Sequence, residues 1–166
     1  MLIRTLLALV FVVAGATAGA MLHAAFSGGD SVFSWKRPDY LGVTEGRLAR
    51  CKSTPNCVSS QGDPADAGHY IAPIAFKGSA VEAMAAVRKA IEAMERCSMV
   101  RHDANYIYAE FRSKLLRYVD DVEFVHDAGA GLIHVRSASR LGRKDFGVNR
   151  DRVEAIRSRV EKRVIA

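Results

Sequence analysis

Hydrophobic and polar positions change period along this chain, and each period marks a different kind of element. The first stretch has none: Thr5–Phe26 (TLLALVFVVAGATAGAMLHAAF) is apolar on every side, and it covers the about 20 residues that a helix needs to cross a bilayer core. A helical period begins after Ser79. There Ala80, Met84, Val87, Ile91 and Met94 form one apolar face behind Ser79-Ala80-Val81-Glu82, a capping box in which the serine meets the N3 amide and the glutamate reaches back. This helix is expected to end near Arg96. Alternation of period two then predicts strands at Met99–Asp103, Tyr106–Ser113, Asp121–His126 and Leu132–Ser139. The polar breaks at Asp103–Asn105 and Asp127–Gly131 fit hairpins, hence antiparallel pairing. A shorter strand, His69–Phe76, is interrupted by Pro73, which argues for an edge or a bulge. Asn149 is a plausible N-cap for a last helix, Asn149–Val164, with Val153, Ile156, Val160 and Val164 as its apolar stripe. The pattern predicts an α+β fold: an antiparallel sheet of about four to five strands with two helices packed on one face, preceded by an N-terminal transmembrane helix.

The apolar run also sets the compartment. Arg4 and the amino terminus hold residues 1–4 as a cytoplasmic stub, residues 5–26 form a signal anchor, and the rest lies outside. The alternative is a cleaved signal peptide, since Ala16-Thr17-Ala18 and Ala18-Gly19-Ala20 both fit the small-x-small cleavage pattern. Both readings export residues 27–166. An uncleaved run gives a single-pass protein of the inner (cytoplasmic) membrane with its domain on the extracytoplasmic side, and cleavage gives a periplasmic one. Residues 27–50 mix Gly, Ser, Trp35, Pro38 and scattered charge without a period, as a linker that drapes onto the domain or lies along the membrane. Residues 51–166 form the domain.

Charge then changes the picture once. The 166-residue chain carries a net charge of +6, which in a cytosolic protein would suggest a nucleic-acid partner. Export removes that partner and leaves anionic lipid, acidic wall polymers or an envelope protein. Outside the cytosol cysteines are expected to pair. Cys51 and Cys57 flank Lys52-Ser53-Thr54-Pro55-Asn56, a turn-forming segment that can bring them within bridging distance. Cys97 is left as a small buried hydrophobe. No metal site and no cofactor motif is readable.

Four blocks carry a resemblance. Arg50–Gln61 (RCKSTPNCVSSQ), Ala109–Ser113 (AEFRS), Tyr118–Phe124 (YVDDVEF) and Val135–Arg157 (VRSASRLGRKDFGVNRDRVEAIR) together resemble the domain-of-unknown-function family numbered fourteen ninety-nine, over roughly Leu41–Arg157. The resemblance implies exported or membrane-anchored bacterial proteins with plastid relatives and brings no established activity. It supports the Cys51–Cys57 pairing and gives Cys97 no role.

Candidate chemistry follows from strand alternation. One sheet face is expected to display Tyr106, Tyr108, Glu110, Arg112, Asp121, Glu123, His134 and Arg136, either as a solvated lattice of cross-strand ion pairs or as a polar binding surface. Arginine forks grip carboxylate or phosphate, and Arg136–Arg150 concentrates arginines, hydroxyls and glycines before a helix start. The candidate anion-binding residues are therefore Arg112, His134, Arg136, Ser137, Ser139, Arg140, Asn149 and Arg150, in a non-enzymatic binding or interaction module. No catalytic residue is assigned. The alternative is a hydrolase or transferase using Glu110, Asp121 or His134.

Overall fold

The computed structural model describes residues 36–164. Thr5–Phe26, the linker up to Trp35 and the question of anchor or cleaved signal lie outside the described residues. Among the described residues no helix is long and apolar enough to cross a membrane.

The elements run β1 (Cys57–Ser59), β2 (Ile74–Ala75), α1 (Ala80–Glu92), β3 (Cys97–His102), β4 (Tyr106–Arg112), β5 (Val119–Asp127), β6 (Leu132–Ser139) and α2 (Val148–Val164). They form an α+β fold on one six-stranded antiparallel sheet of order β1-β6-β5-β4-β3, with β2 also paired to β6. The expected strands are present with shifted ends, and β1 adds a strand that its few residues did not announce. Pro73 limits the expected His69–Phe76 strand to the short β2, because it has no amide to give a ladder.

The capping box forms as the sequence requires, Ser79 accepting from the Glu82 amide and Glu82 accepting from Ser79. Helix α1 stops at Glu92, before the expected Arg96. The Met94 amide turns back to Ile91 and Arg96 adopts a positive φ of 56°, which reverses the chain into β3. Helix α2 starts one residue early, at Val148. Its first turn is satisfied by Asp145, whose carboxylate accepts from the Gly147 and Asn149 amides. Asn149 is therefore not the N-cap, and its side chain turns into the protein instead.

Both helices cover one sheet face. Met84, Val87 and Ile91 of α1 and Val153, Ile156 and Val160 of α2 join Ile107, Phe111, Val122, Phe124, Ile133 and Val135 in one core. Fully burying such a side chain contributes about 1.5–3 kcal/mol. Cys97 sits half-buried at the edge of this core and donates from Sγ to the Ile91 and Met94 carbonyls.

The opposite face carries the predicted polar set, but it is not solvated. Residues 37–48 lie across it, with Leu41 and Leu48 packed against Tyr106, Tyr108 and Val125. The Gly42 amide donates to Glu123 at 2.7 Å. Gly42 has φ +116°, a conformation that only glycine adopts freely, so this crossing has a sequence requirement.

Candidate functional site

The covered face holds a closed ionic network. Arg140 donates from Nη2 to Glu110 at 2.6 Å and to Asp121 at 2.7 Å, and from Nε to Asp121 at 2.9 Å. Tyr108 adds its hydroxyl to Asp121 at 2.6 Å. Arg37 reaches Glu110 from above at 2.7 Å and Arg112 from its own strand at 3.1 Å. Burial alone would raise Glu110, but hydrogen bonds from Arg37 and Arg140 overcome it and hold the carboxyl at about 2. Farther along the face, Arg136 pairs with Glu123 at 3.3 Å, Tyr106 donates to Glu123 at 2.7 Å, and the Tyr40 ring lies over the Arg136 guanidinium. Glu123 is fully buried, and that burial raises its pKa.

These arginines are turned toward carboxylates of their own fold. An incoming anion would have to displace Glu110, Asp121 or Glu123, leaving a buried charge unpaired, which costs several kcal/mol. Glu110 and Asp121 are equally committed as acceptors. A general acid must hold a proton near neutral pH, and Glu110 does not.

The sheet separates the remaining candidates from these. Ser137, Ser139 and Asn149 meet on the helix side. The Ser137 hydroxyl donates to Asn149 Oδ1 at 2.5 Å, and Asn149 Nδ2 donates to Ser139 Oγ, the Asn56 carbonyl and Asp145. Asn149 is fully buried, so the cluster locks β1, β6 and the α2 start together. Arg152 closes it, bonding Asn149 Oδ1 at 2.7 Å and Asp120 at 2.6 Å. Arg150 instead holds the carbonyls of Ala67, Gly68 and Tyr70. The eight candidates thus fall on two sides of one sheet and do not converge.

His134 stands apart from both groups. Its Nδ1 lies 3.1 Å from Ser60 Oγ and its Nε2 3.5 Å from Asp127, the order of a nucleophile, a base and an orienting carboxylate. The serine also accepts from the Val135 amide at 2.9 Å, while its own amide donates to the Val135 carbonyl. Ser60 therefore prolongs the β1–β6 ladder with its side chain. It lines a cleft of about 590 Å³ with Glu45, Arg47, His126 and His134.

The Cys51–Cys57 disulfide is formed, with Cα atoms 5.6 Å apart. Beside it opens a second cleft of about 620 Å³, lined by Arg47, Arg50, Lys52 and Ser53 together with Gln61, Asp63, Asp66 and His69. Arg47, Arg50 and Lys52 are exposed, and among the described residues no carboxylate forms an ion pair with them. His69 is held by Asp66 at 2.8 Å, which raises its pKa. Sequence spacing gave no signal for this site, because its walls come from separate loops that meet only once β1 joins the sheet. Among the described residues no group of His, Cys, Asp and Glu is placed to hold a metal ion.

The blocks quoted from the sequence now fall on the disulfide loop, on the carboxylate strands β4 and β5, and on the Arg140–Asn149 turn. A family model described as "protein of unknown function (DUF1499)" matches residues 47–160. The chain belongs to the DUF1499 family. A search of curated proteins found no match. The DUF1499 match takes in the disulfide, the cleft beside it, the Ser60–His134 cleft apart from Glu45 and Gly46, and most of the ionic network. It begins at Arg47, so Arg37 and Gly42, which complete that network from above, precede it.

Proposed function

We propose that this DUF1499 protein is a membrane-tethered, extracytoplasmic binding module that takes an anionic, hydroxylated ligand in the cleft beside the disulfide. One observation carries the reading: Arg47, Arg50 and Lys52 line a cleft without carboxylate partners, whereas Arg136 and Arg140 are buried against carboxylates of their own. Unneutralised guanidinium and ammonium groups in a concavity recognise phosphate or carboxylate. Ser53, Gln61 and Asp63 in the same walls suit hydroxyl groups. The bridge through Cys51 fixes the loop between Arg50 and Lys52, so the cations are positioned before a ligand arrives. Tethering rests on Thr5–Phe26, and the family resemblance to exported proteins supports it.

Calorimetric titration with glycerol 3-phosphate and with inorganic phosphate tests the reading. Arg50→Ala with Lys52→Ala should weaken binding by about tenfold or more, the loss of one to two charge-assisted hydrogen bonds. Arg88→Ala, on helix α1 and outside the cleft, should leave it unchanged. Absence of binding at millimolar concentrations, or equal binding by the double variant, would refute it.

A second reading is a serine hydrolase using Ser60, His134 and Asp127, favoured by their hydrogen-bonded order. The hydrogen bond that Ser60 Oγ accepts from the Val135 amide weighs against it. A fluorophosphonate that labels the chain, and fails to label Ser60→Ala, would establish it in place of the first.

A further inference from the structure

One end of the sheet exposes apolar side chains that the core does not take up. Strand β4 ends, β5 begins and β6 ends there, since Arg112 pairs with Val119 and Ser139 with Asp120. The loop 113–118 and the loop 140–147 are therefore neighbours, joined where the Arg140 amide donates to the Val119 carbonyl. Leu115 is 78% exposed and Phe146 92% exposed. Phe146 moreover has φ 55°, a left-handed conformation that bulky residues avoid. The loop thus accepts an unfavourable backbone and leaves the ring in solvent.

Lys114 and Arg117 flank Leu115 and Leu116, and Arg143 and Lys144 precede Phe146. Among the described residues no ion pair neutralises these four. Asp145, the only carboxylate of the two loops, is taken up by the Gly147 and Asn149 amides. Apolar tips set in cations are the composition of a surface that enters the headgroup region of an anionic bilayer.

We propose that this end of the domain lies against an anionic lipid surface, with Leu115 and Phe146 inserted at the headgroup–acyl boundary. The inference rests on the tether reading of Thr5–Phe26. What selects a bilayer as the occupant is where the preceding chain joins the domain. Arg37 is pinned to Glu110, two positions before the end of β4, at the end that carries both loops. Ser27–Trp35, the stretch between the apolar run and the first described residue, spans at most roughly 30 Å when extended. A bilayer holding the apolar run therefore keeps this end of the domain within reach of its surface. The opposite end carries the Asp127–Gly131 turn, whose tip is Ala128, Gly129 and Ala130, with neither large apolar nor basic side chains.

The test uses the full chain in phosphatidylglycerol nanodiscs whose acyl chains are brominated. Trp35 is the only tryptophan. In a Trp35→Phe background, Leu115→Trp, Phe146→Trp and, at the opposite end, Ala128→Trp report contact by bromine quenching. All three positions are exposed, so the substitutions leave the core intact, and circular dichroism checks this. The expected result is a loss of fluorescence at 115 and 146, none at 128, and recovery when phosphatidylcholine replaces the anionic lipid. Equal quenching at all three positions, or none at 115 and 146, overturns the proposal, as does crosslinking of 115 to a second copy without quenching. Retention on the discs reports the tether separately. If the chain is not retained, the same variants are mixed with brominated phosphatidylglycerol vesicles, where absence of quenching at 115 and 146 again overturns it.

Discussion

Replacing Arg140 by Met should be among the most damaging single changes to the covered face. The guanidinium reaches Glu110, Asp121 and Tyr108 and is itself almost fully buried. Glu110 is held at about 2 against 4.5 for a free side chain, a difference of about 3 kcal/mol shared between Arg37 and Arg140. The Arg37 side chain is half-exposed, so solvent screens its share. Losing Arg140 also strands Asp121, and a broken buried pair costs about 3–5 kcal/mol. We expect a penalty of about 3–4 kcal/mol at pH 7, read by urea unfolding of the oxidised domain with far-UV circular dichroism. The pH dependence has a definite sign. A depressed carboxylate contributes stability above its unfolded pKa and loses it as pH falls, here from about 4.5 toward 2. In Arg140→Met, Glu110 loses one of the two hydrogen bonds that hold its carboxyl down against burial, so it takes up a proton at higher pH and relieves the strain. The gap between the two proteins should therefore shrink on going from pH 7 to pH 4. A penalty below about 1 kcal/mol at pH 7, the worth of an exposed pair, or a gap that widens on acidification, would refute the reasoning.

Reduction of the Cys51–Cys57 bridge, whose sequence separation is 6, should cost roughly 2 kcal/mol by loop entropy and weaken anion binding through the freed Arg50–Lys52 loop, as unfolding with and without reductant checks. Ser60→Ala should destabilise by about 1–3 kcal/mol, because the Val135 amide loses its acceptor in a buried position. If denaturant midpoints are unchanged, the ladder role of Ser60 is wrong. The His69 imidazole should titrate above its ordinary value near 6.5. Asp66→Asn should bring it back down, with the ring signals followed by NMR. Because the folded value is raised, the stabilisation from that pair is present below the unfolded pKa and fades as pH rises through the folded one.

Strand alternation was enough to sort Glu110, Asp121, Glu123 and Arg136 onto one face, since the period of two is a property of the local chain. It says nothing of what covers that face. Residues 37–48 have no period of their own, and their role depends on the Gly42 amide meeting Glu123 and on Leu48 meeting Tyr106. Grouping Arg136, Arg140, Ser137 and Asn149 as one site failed for a related reason. Neighbours in sequence on a strand point to opposite sides, so Arg136 met Glu123 while Ser137 met Asn149. The cleft beside the disulfide was unreadable because Arg47, Arg50, Asp63 and His69 come from irregular loops, brought together by the bridge and by the Ser59–His69 hydrogen bond.

The cover over the ionic face also dictates an order of events. Arg37 waits for Glu110, 73 residues later, and Gly42 for Glu123, 81 residues later. At a synthesis rate of about 5–20 residues per second, the first-made segment has no docking partner for roughly 4–16 s. Its arginine and glycine must stay undocked until β4 and β5 exist, and Tyr40 until β6 brings Arg136, while the carboxylates of β4 and β5 stay open to water until the segment arrives. The earliest residues of the domain to be made are among the last to take their place.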